Sequence, residues 1–346
     1  MNIKDIARMA GVSISTISRV INKSAYVSPE ITERIERILD ETGYRPNALA
    51  KELLRKKTNT IGVMLPRIDL GTFAAMFDGI VSTLNDRGYN ILLANTRDQV
   101  GEELRYLKLF HEKRVDGVLY FATGMNPQHV QAISTFHKPV VVVGQSGAYL
   151  RCPSVRLDSF EASRAMVKYL ISLGHRRIGC LAVPDYDVNV GIERKEGYFA
   201  ALRECDIPVD PSLVVVGDFE FSSGARGTKA LIEHPEGPPT AIYCITDRLA
   251  VASCAWLQRN AYRVPDDVSV ACVDDPALLS YCYPSITTMS FDYQFTGTRA
   301  AQMIIDCIDG QQPDPFEIVV PFVMKVREST GQLHQLQHPS KAERGE

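Results

Sequence analysis

Between residues 60 and 331, short and nearly continuous apolar runs alternate with stretches of helical periodicity. That alternation constrains the fold more than any other feature of the chain. The runs are Ile61–Leu65, Ile91–Ala94, Gly117–Phe121, Val140–Val143, Ile178–Ala182, Ala241–Ile245 and Val268–Val273. A strand that is apolar on both faces needs cover on both faces, so each run belongs in a parallel sheet sandwiched by helices. The β–α units exceed what one ordinary sheet holds, so two similar lobes are expected. Ligands of such sheets bind outside the carboxyl ends of the strands.

Composition narrows the function classes. With 346 residues, 45% hydrophobic and 23% charged, the chain has the make-up of a soluble globular protein of two to three domains. No apolar run approaches the roughly 18 residues of a membrane span. The start, Met1 to Ile6, has no basic segment followed by an apolar stretch, so neither a signal peptide nor a membrane partner is expected, and the location is read as cytoplasmic. Cys152, Cys180, Cys205, Cys244, Cys254, Cys272, Cys282 and Cys307 form no C-x-x-C pair and read as reduced, mostly buried thiols. No metal site and no cofactor are expected.

Enzyme motifs are missing too. No G-x-G-x-x-G follows the first apolar run. Gly224-Ala225-Arg226-Gly227-Thr228-Lys229 has the wrong spacing for a phosphate loop, and Gly144-Gln145-Ser146-Gly147 is not a nucleophile elbow. His175 reads as a residue at the start of a strand rather than a base. The expectation is no catalytic activity.

Charge is uneven along the chain. Residues 1–60 hold 11 Lys and Arg against 7 Asp and Glu, leaving 27 against 34 for the remainder. A basic head on an acidic body points to a polyanion partner for the head alone. Within it, Ile3, Ile6, Ala7 and Ala10 have helical spacing. Gly11 suits a tight turn and Ser13 a helix start. Over residues 14–22, Ile17, Val20 and Ile21 make one stripe, while Ile14, Ser15, Ser18, Arg19 and Asn22 fall opposite. A third helix starts at Ser28-Pro29-Glu30, buries Ile31, Ile35, Ile38 and Leu39, and ends at Gly43.

Two short helices around a glycine turn, plus a third helix, make an all-α helix-turn-helix head, expected over residues 1–45. Its second helix suits the major groove, with Arg19 placed to pair with a guanine and Ile14 and Ser15 near base edges. Residues 46–59 read as a hinge helix and linker, with Ala50, Leu53 and Leu54 on one side among Lys51, Arg55, Lys56 and Lys57. So short a helix is marginal alone and suits folding against DNA, where a leucine can wedge a minor-groove step.

Lys4-Asp5-Ile6-Ala7, Ala10-Gly11-Val12-Ser13, Ser18-Arg19-Val20-Ile21-Asn22 and Gly43-Tyr44-Arg45-Pro46-Asn47-Ala48 together resemble the head and hinge of the LacI/GalR family of transcription repressors. The body strings Arg194-Lys195-Glu196-Gly197-Tyr198 and Val264-Pro265-Asp266-Asp267-Val268 resemble that family's two-lobed, periplasmic-binding-protein-like α/β core. The resemblance implies a regulator, most often a repressor, that binds a palindromic operator as a homodimer, with a tetramer left open. It places Ile14, Ser15 and Arg19 at bases, and Ser13, Thr16, Asn22, Tyr26 and Asn47 at backbone or flanking contacts. Ala50 and Leu53 come to the DNA from the hinge, Leu53 as the wedge.

In the core of residues 60–331, the resemblance implies three lobe crossings, expected near 157, 288 and 321. One lobe would hold about 60–156 and 288–320, the other about 157–287 and 321–331, with 332–346 a polar tail. The cleft would take a small sugar-like effector between Phe73, Thr123, Arg194, Phe219, Asp247 and Asp274. Departures from the family pattern bear on which ligand. Thr246 replaces the usual Asn, Thr287–Asp292 lacks the usual Gln, and Val188 and Val190 stand where some members keep polar contacts. A purine- or nucleoside-sensing regulator of the same fold is the alternative. A transport-type sugar-binding protein would share the body but have no use for the head.

Overall fold

A computed structural model describes residues 2–22, 25–43 and 57–333. Of the expected sites, Asn47, Ala50 and Leu53 lie outside the described residues, as do most of the hinge and of the polar tail. The chain divides into two units, Met1–Thr58 and Asn59–Glu346.

The first unit contains α1 (Ile3–Ala10), α2 (Ile14–Asn22) and α3 (Pro29–Thr42). Asn2 and Asp5 form a reciprocal capping box at the start of α1, and Gly11 closes it at φ 66°. The Ser13 hydroxyl accepts the Thr16 N–H at 3.1 Å and so opens α2. Ser28 differs from expectation, because its side chain makes no cap. Its carbonyl does the work, accepting from the Thr32 N–H at 3.0 Å and the Thr32 hydroxyl at 3.1 Å. Ile6, Ala7, Ala10, Ile17 and Ile35 form the small core.

The second unit holds two sheets. The strands are β1 (Thr60–Leu65), β2 (Asn90–Asn95), β3 (Gly117–Phe121), β4 (Val140–Gly144), β5 (Ser154–Leu157), β6 (Ile178–Ala182), β7 (Val214–Val216), β8 (Ala241–Cys244), β9 (Ser269–Val273), β10 (Thr287–Phe291), β11 (Glu317–Val320) and β12 (Phe322–Lys325). The first sheet runs β11-β5-β4-β3-β1-β2 and the second β12-β10-β9-β8-β6-β7. The two orders are one winding pattern used twice, as the count of β–α units requires. Every residue of β3, β6 and β9 is buried, which is the signature of strands covered on both faces. One strand departs from the all-parallel expectation: β12 pairs antiparallel with β10 at the sheet edge.

The chain passes between lobes at Asp158, Asp292 and Pro321. The second passage falls after Phe291 rather than near 288, because all of β10 pairs with β9 and β12 of the second sheet. Asp158 and Asp292 each cap the helix they lead into, accepting from the N–H of Glu161 and Phe295. The latter helix, Tyr293–Ile308, returns to the first lobe and packs on helix Gly71–Asp86. Backbone touches backbone there: a Cβ on Gly79 would strike the Gln294 carbonyl, and one on Gly297 the Met76 carbonyl. Gly224 and Gly227 sit inside helix Phe221–Ile232, against Leu249 and Leu181, so they are packing glycines. His175 is a buried structural residue between Thr240, Ser269 and the Gly331 carbonyl.

Candidate functional site

Two surfaces gather the residues singled out by the sequence. On the head, α2 buries Ile17 and turns Ser13, Ile14, Ser15 and Arg19 outward, with Ile14 43% exposed. The Ser13 hydroxyl lies 2.7 Å from that of Ser15 and 2.9 Å from that of Thr16, so three hydroxyls cluster at the start of the helix. Thr16 is half-buried, and Tyr26 is 88% exposed beyond the helix end. Asn22 is the last residue of α2. An exposed isoleucine, clustered hydroxyls and a long cation on one face are what reading base edges requires.

In the body, Phe73, Thr123, Arg194, Phe219, Asp247 and Asp274 all line one cleft between the lobes, which encloses about 830 Å³ including its mouth. Each lies beyond the carboxyl end of a strand or in the first turn of the helix that follows, where such sheets bind ligands. Phe73, from the first lobe, meets Phe121 edge-on at 5.8 Å. Phe219, from the second lobe, is buried, with the Arg67 guanidinium 4.1 Å from its ring centre.

The floor is a buried ion pair. Arg194 is 2% exposed and begins helix Arg194–Glu204. Its guanidinium forks onto both oxygens of Asp274 at 2.8 and 2.9 Å and donates to the Ile245 carbonyl at 2.7 Å. Tyr293 donates its hydroxyl to the same carboxylate. Asp274 has φ 79°, a left-handed conformation that costs energy and is held by these partners and by its N–H bond to the Met289 carbonyl. The two residues expected to reach for ligand therefore hold each other.

Other cleft groups escaped the sequence reading. Arg67 donates to Asp98 at 2.6 Å and to the Tyr186 hydroxyl at 3.3 Å. Arg248 donates to the Asp69 carbonyl at 2.7 Å and its carboxylate at 2.8 Å. The Val188 N–H reaches the Thr123 carbonyl at 2.8 Å, a further contact that bridges the lobes. Asp187 accepts from the Val190 N–H at 2.9 Å. Burial pushes Asp187 up to about 6. Burial, then the charge of Asp274, pushes Asp247 up to about 6. The hydroxyl of Thr246 is buried with no hydrogen-bond partner among the described residues. The available signal was position: Arg67 and Asp98 follow β1 and β2 directly, at the crevice edge.

Residues 2–47 match the model of bacterial regulatory proteins of the lacI family, and residues 167–330 match a periplasmic binding protein-like domain. The HTH-type transcriptional repressor CytR of Escherichia coli K12 is 30% identical over 330 residues, covering 95% of this chain and 96% of that one. The chain belongs to the LacI family. Among solved structures, the complex of the transcriptional regulator CelR with cellobiose has a TM-score of 0.71 at 29% identity, covering 95% of this chain and 99% of that one. The lac repressor dimer bound to operator and the anti-inducer ONPF has a TM-score of 0.85 at 24% identity, covering 96% and 99%, and shares the fold. This LacI-family member is a DNA-binding transcriptional regulator. No helix among the described residues is long and apolar enough to cross a membrane.

Proposed function

We propose that the chain is a cytoplasmic repressor that binds a palindromic operator as a homodimer and answers to a small sugar held in the cleft. The observation that carries this is the meeting of aromatic walls, carboxylates and an unpartnered hydroxyl in one crevice between two lobes. Sugar hydroxyls need donors and acceptors, and the C–H face of the ring needs an apolar wall. The cellobiose held by the similar CelR structure supports the same class. Ser13, Ile14, Ser15, Thr16, Arg19, Asn22 and Tyr26 meet the DNA in this reading, and the sugar shifts DNA affinity only through its preference for one lobe arrangement.

Phe73 and Phe219 would also flank a flat nucleobase, which keeps a nucleoside effector as the second reading. A gel shift of the full-length protein on fragments of its own promoter region, with sugars in one series and nucleosides in another, tests both. Release or tightening by a sugar supports the first. A response to nucleosides alone replaces it with the second.

A further inference from the structure

The charges inside the cleft do not cancel. Arg67 and Arg194 face four carboxylates, those of Asp98, Asp187, Asp247 and Asp274. Arg67 is taken by Asp98, and both prongs of Arg194 are taken by Asp274. The third guanidinium of the lining, that of Arg248, pairs with Asp69 and lies 3.9 Å from Glu220. Asp187 and Asp247 receive backbone N–H groups, from Val190 and Arg248, and no side-chain cation pairs with them among the described residues.

Asp187 is buried and Asp247 half-buried, and carboxylates withdrawn from water with no cation of their own are costly. Both line the cleft from the second lobe together with Asp274, whose charge acts on Asp247. The unpartnered Thr246 hydroxyl adjoins Asp247 on the same wall. The Thr246 hydroxyl therefore lacks a partner, and the two carboxylates, each accepting a backbone N–H, keep acceptor capacity for further donors.

We propose that the effector is an uncharged or amine-bearing sugar whose donors meet Asp187, Asp247 and Thr246, and that phosphorylated and acidic sugars are excluded. This rests on the sugar-effector reading above. A phosphate would bring negative charge to a wall already in excess, and every arginine in reach has its carboxylate. Like charges brought together at a buried site are strongly disfavoured. An ammonium or a set of hydroxyls meets the opposite situation, because each can donate to a carboxylate with no cation of its own.

The test is calorimetry on the full-length protein with glucose, ribose and cellobiose, each beside its phosphate ester, and with glucosamine beside glucose. Any of these sugars that binds is expected to bind at least about tenfold more tightly than its ester. Asp247→Asn and Asp187→Asn, checked for folding by thermal melting, are expected to narrow that gap. If a variant fails to fold, the wild-type gap decides alone. An ester that binds as well as or better than its parent sugar overturns the inference and leaves the sugar reading standing. Binding of no sugar in either form overturns the sugar reading itself.

Discussion

Tyr293 donates a hydrogen bond to Asp274 from the far side of the second lobe crossing. Asp274 follows β9 in the second lobe, whereas Tyr293 opens the helix that returns to the first. The carboxylate that grips Arg194 is thus tied directly to the helix packed on Gly79 and Met76. A ligand that disturbs Asp274 acts on both lobes at once. Tyr293→Phe keeps the ring and removes the donor. It is expected to weaken effector binding by about 1 kcal/mol, the usual worth of one hydrogen bond, and to blunt the effector's action on DNA. Calorimetry and gel shift on the variant check this, and an unchanged response contradicts it.

Arg194 and Asp274 are a structural unit as well as a binding one. Removing the buried arginine leaves Asp274 without its cation, so Arg194→Ala is expected to cost about 3–5 kcal/mol of stability. Asp274→Asn keeps an oxygen for the fork and should cost less. Urea denaturation of the effector-free variants measures the difference. A near-neutral Arg194→Ala would mean that the pair is dispensable to the fold.

The cleft carboxylates set a pH dependence. Asp187, facing Asp98, Arg67 and Arg194, and Asp247, facing Asp274, Arg248 and Arg194, are pushed up to about 6 from an ordinary 3.8. A carboxyl that binds its proton more tightly when folded stabilises the fold as pH falls from about 6 toward 4. Above 6 both groups burden the effector-free protein. Asp247→Asn should therefore raise its stability by on the order of 1 kcal/mol at pH 7.5. Buried His175 works the other way: its pKa is lowered by burial, so its contribution is full above 6.5 and falls as pH drops below it. Hydroxyl donors favour ionised carboxylates, so effector affinity should rise from pH 5 to 7 and then level off. Thermal melts and calorimetry across that range decide, and a falling affinity would contradict this account.

On the head, Arg19→Ala should weaken operator binding by about 1–3 kcal/mol if the side chain reads a guanine. Wild-type affinity should fall steeply with salt, since phosphate contacts release counterions. Fluorescence anisotropy at several salt concentrations measures both. A flat salt dependence would remove the head from DNA binding.

Much of this architecture was legible because its causes are local. Helical spacing at Ile3, Ile6, Ala7 and Ala10, with Gly11 behind it, defined α1, and continuous apolar runs marked most of the strands. Cleft residues such as Arg194 and Asp274 came from the family resemblance and do lie together. What stayed hidden depends on distance in the chain. Arg67 meets Asp98 31 residues away and Tyr186 119 residues away, and no periodicity encodes such partners. The fork between Arg194 and Asp274 spans 80 residues, so the sequence offered two polar residues without revealing that they neutralise each other. The second crossing was misplaced because Thr287–Phe291 reads as a strand in either lobe, and only its pairing with β9 assigns it. Ser28 looked like a cap by composition, yet its carbonyl supplies the bond.

The central claim is that one cleft, lined by Arg194 and Asp274, governs the DNA affinity of a head reached through the same chain. Linkage gives the most direct measurement: the affinity of the full-length protein for its operator with and without saturating effector, set beside effector affinity with and without operator. The account predicts the same factor in both directions, on the order of 5- to 150-fold. An effector that binds the cleft tightly while leaving operator affinity unchanged would contradict it.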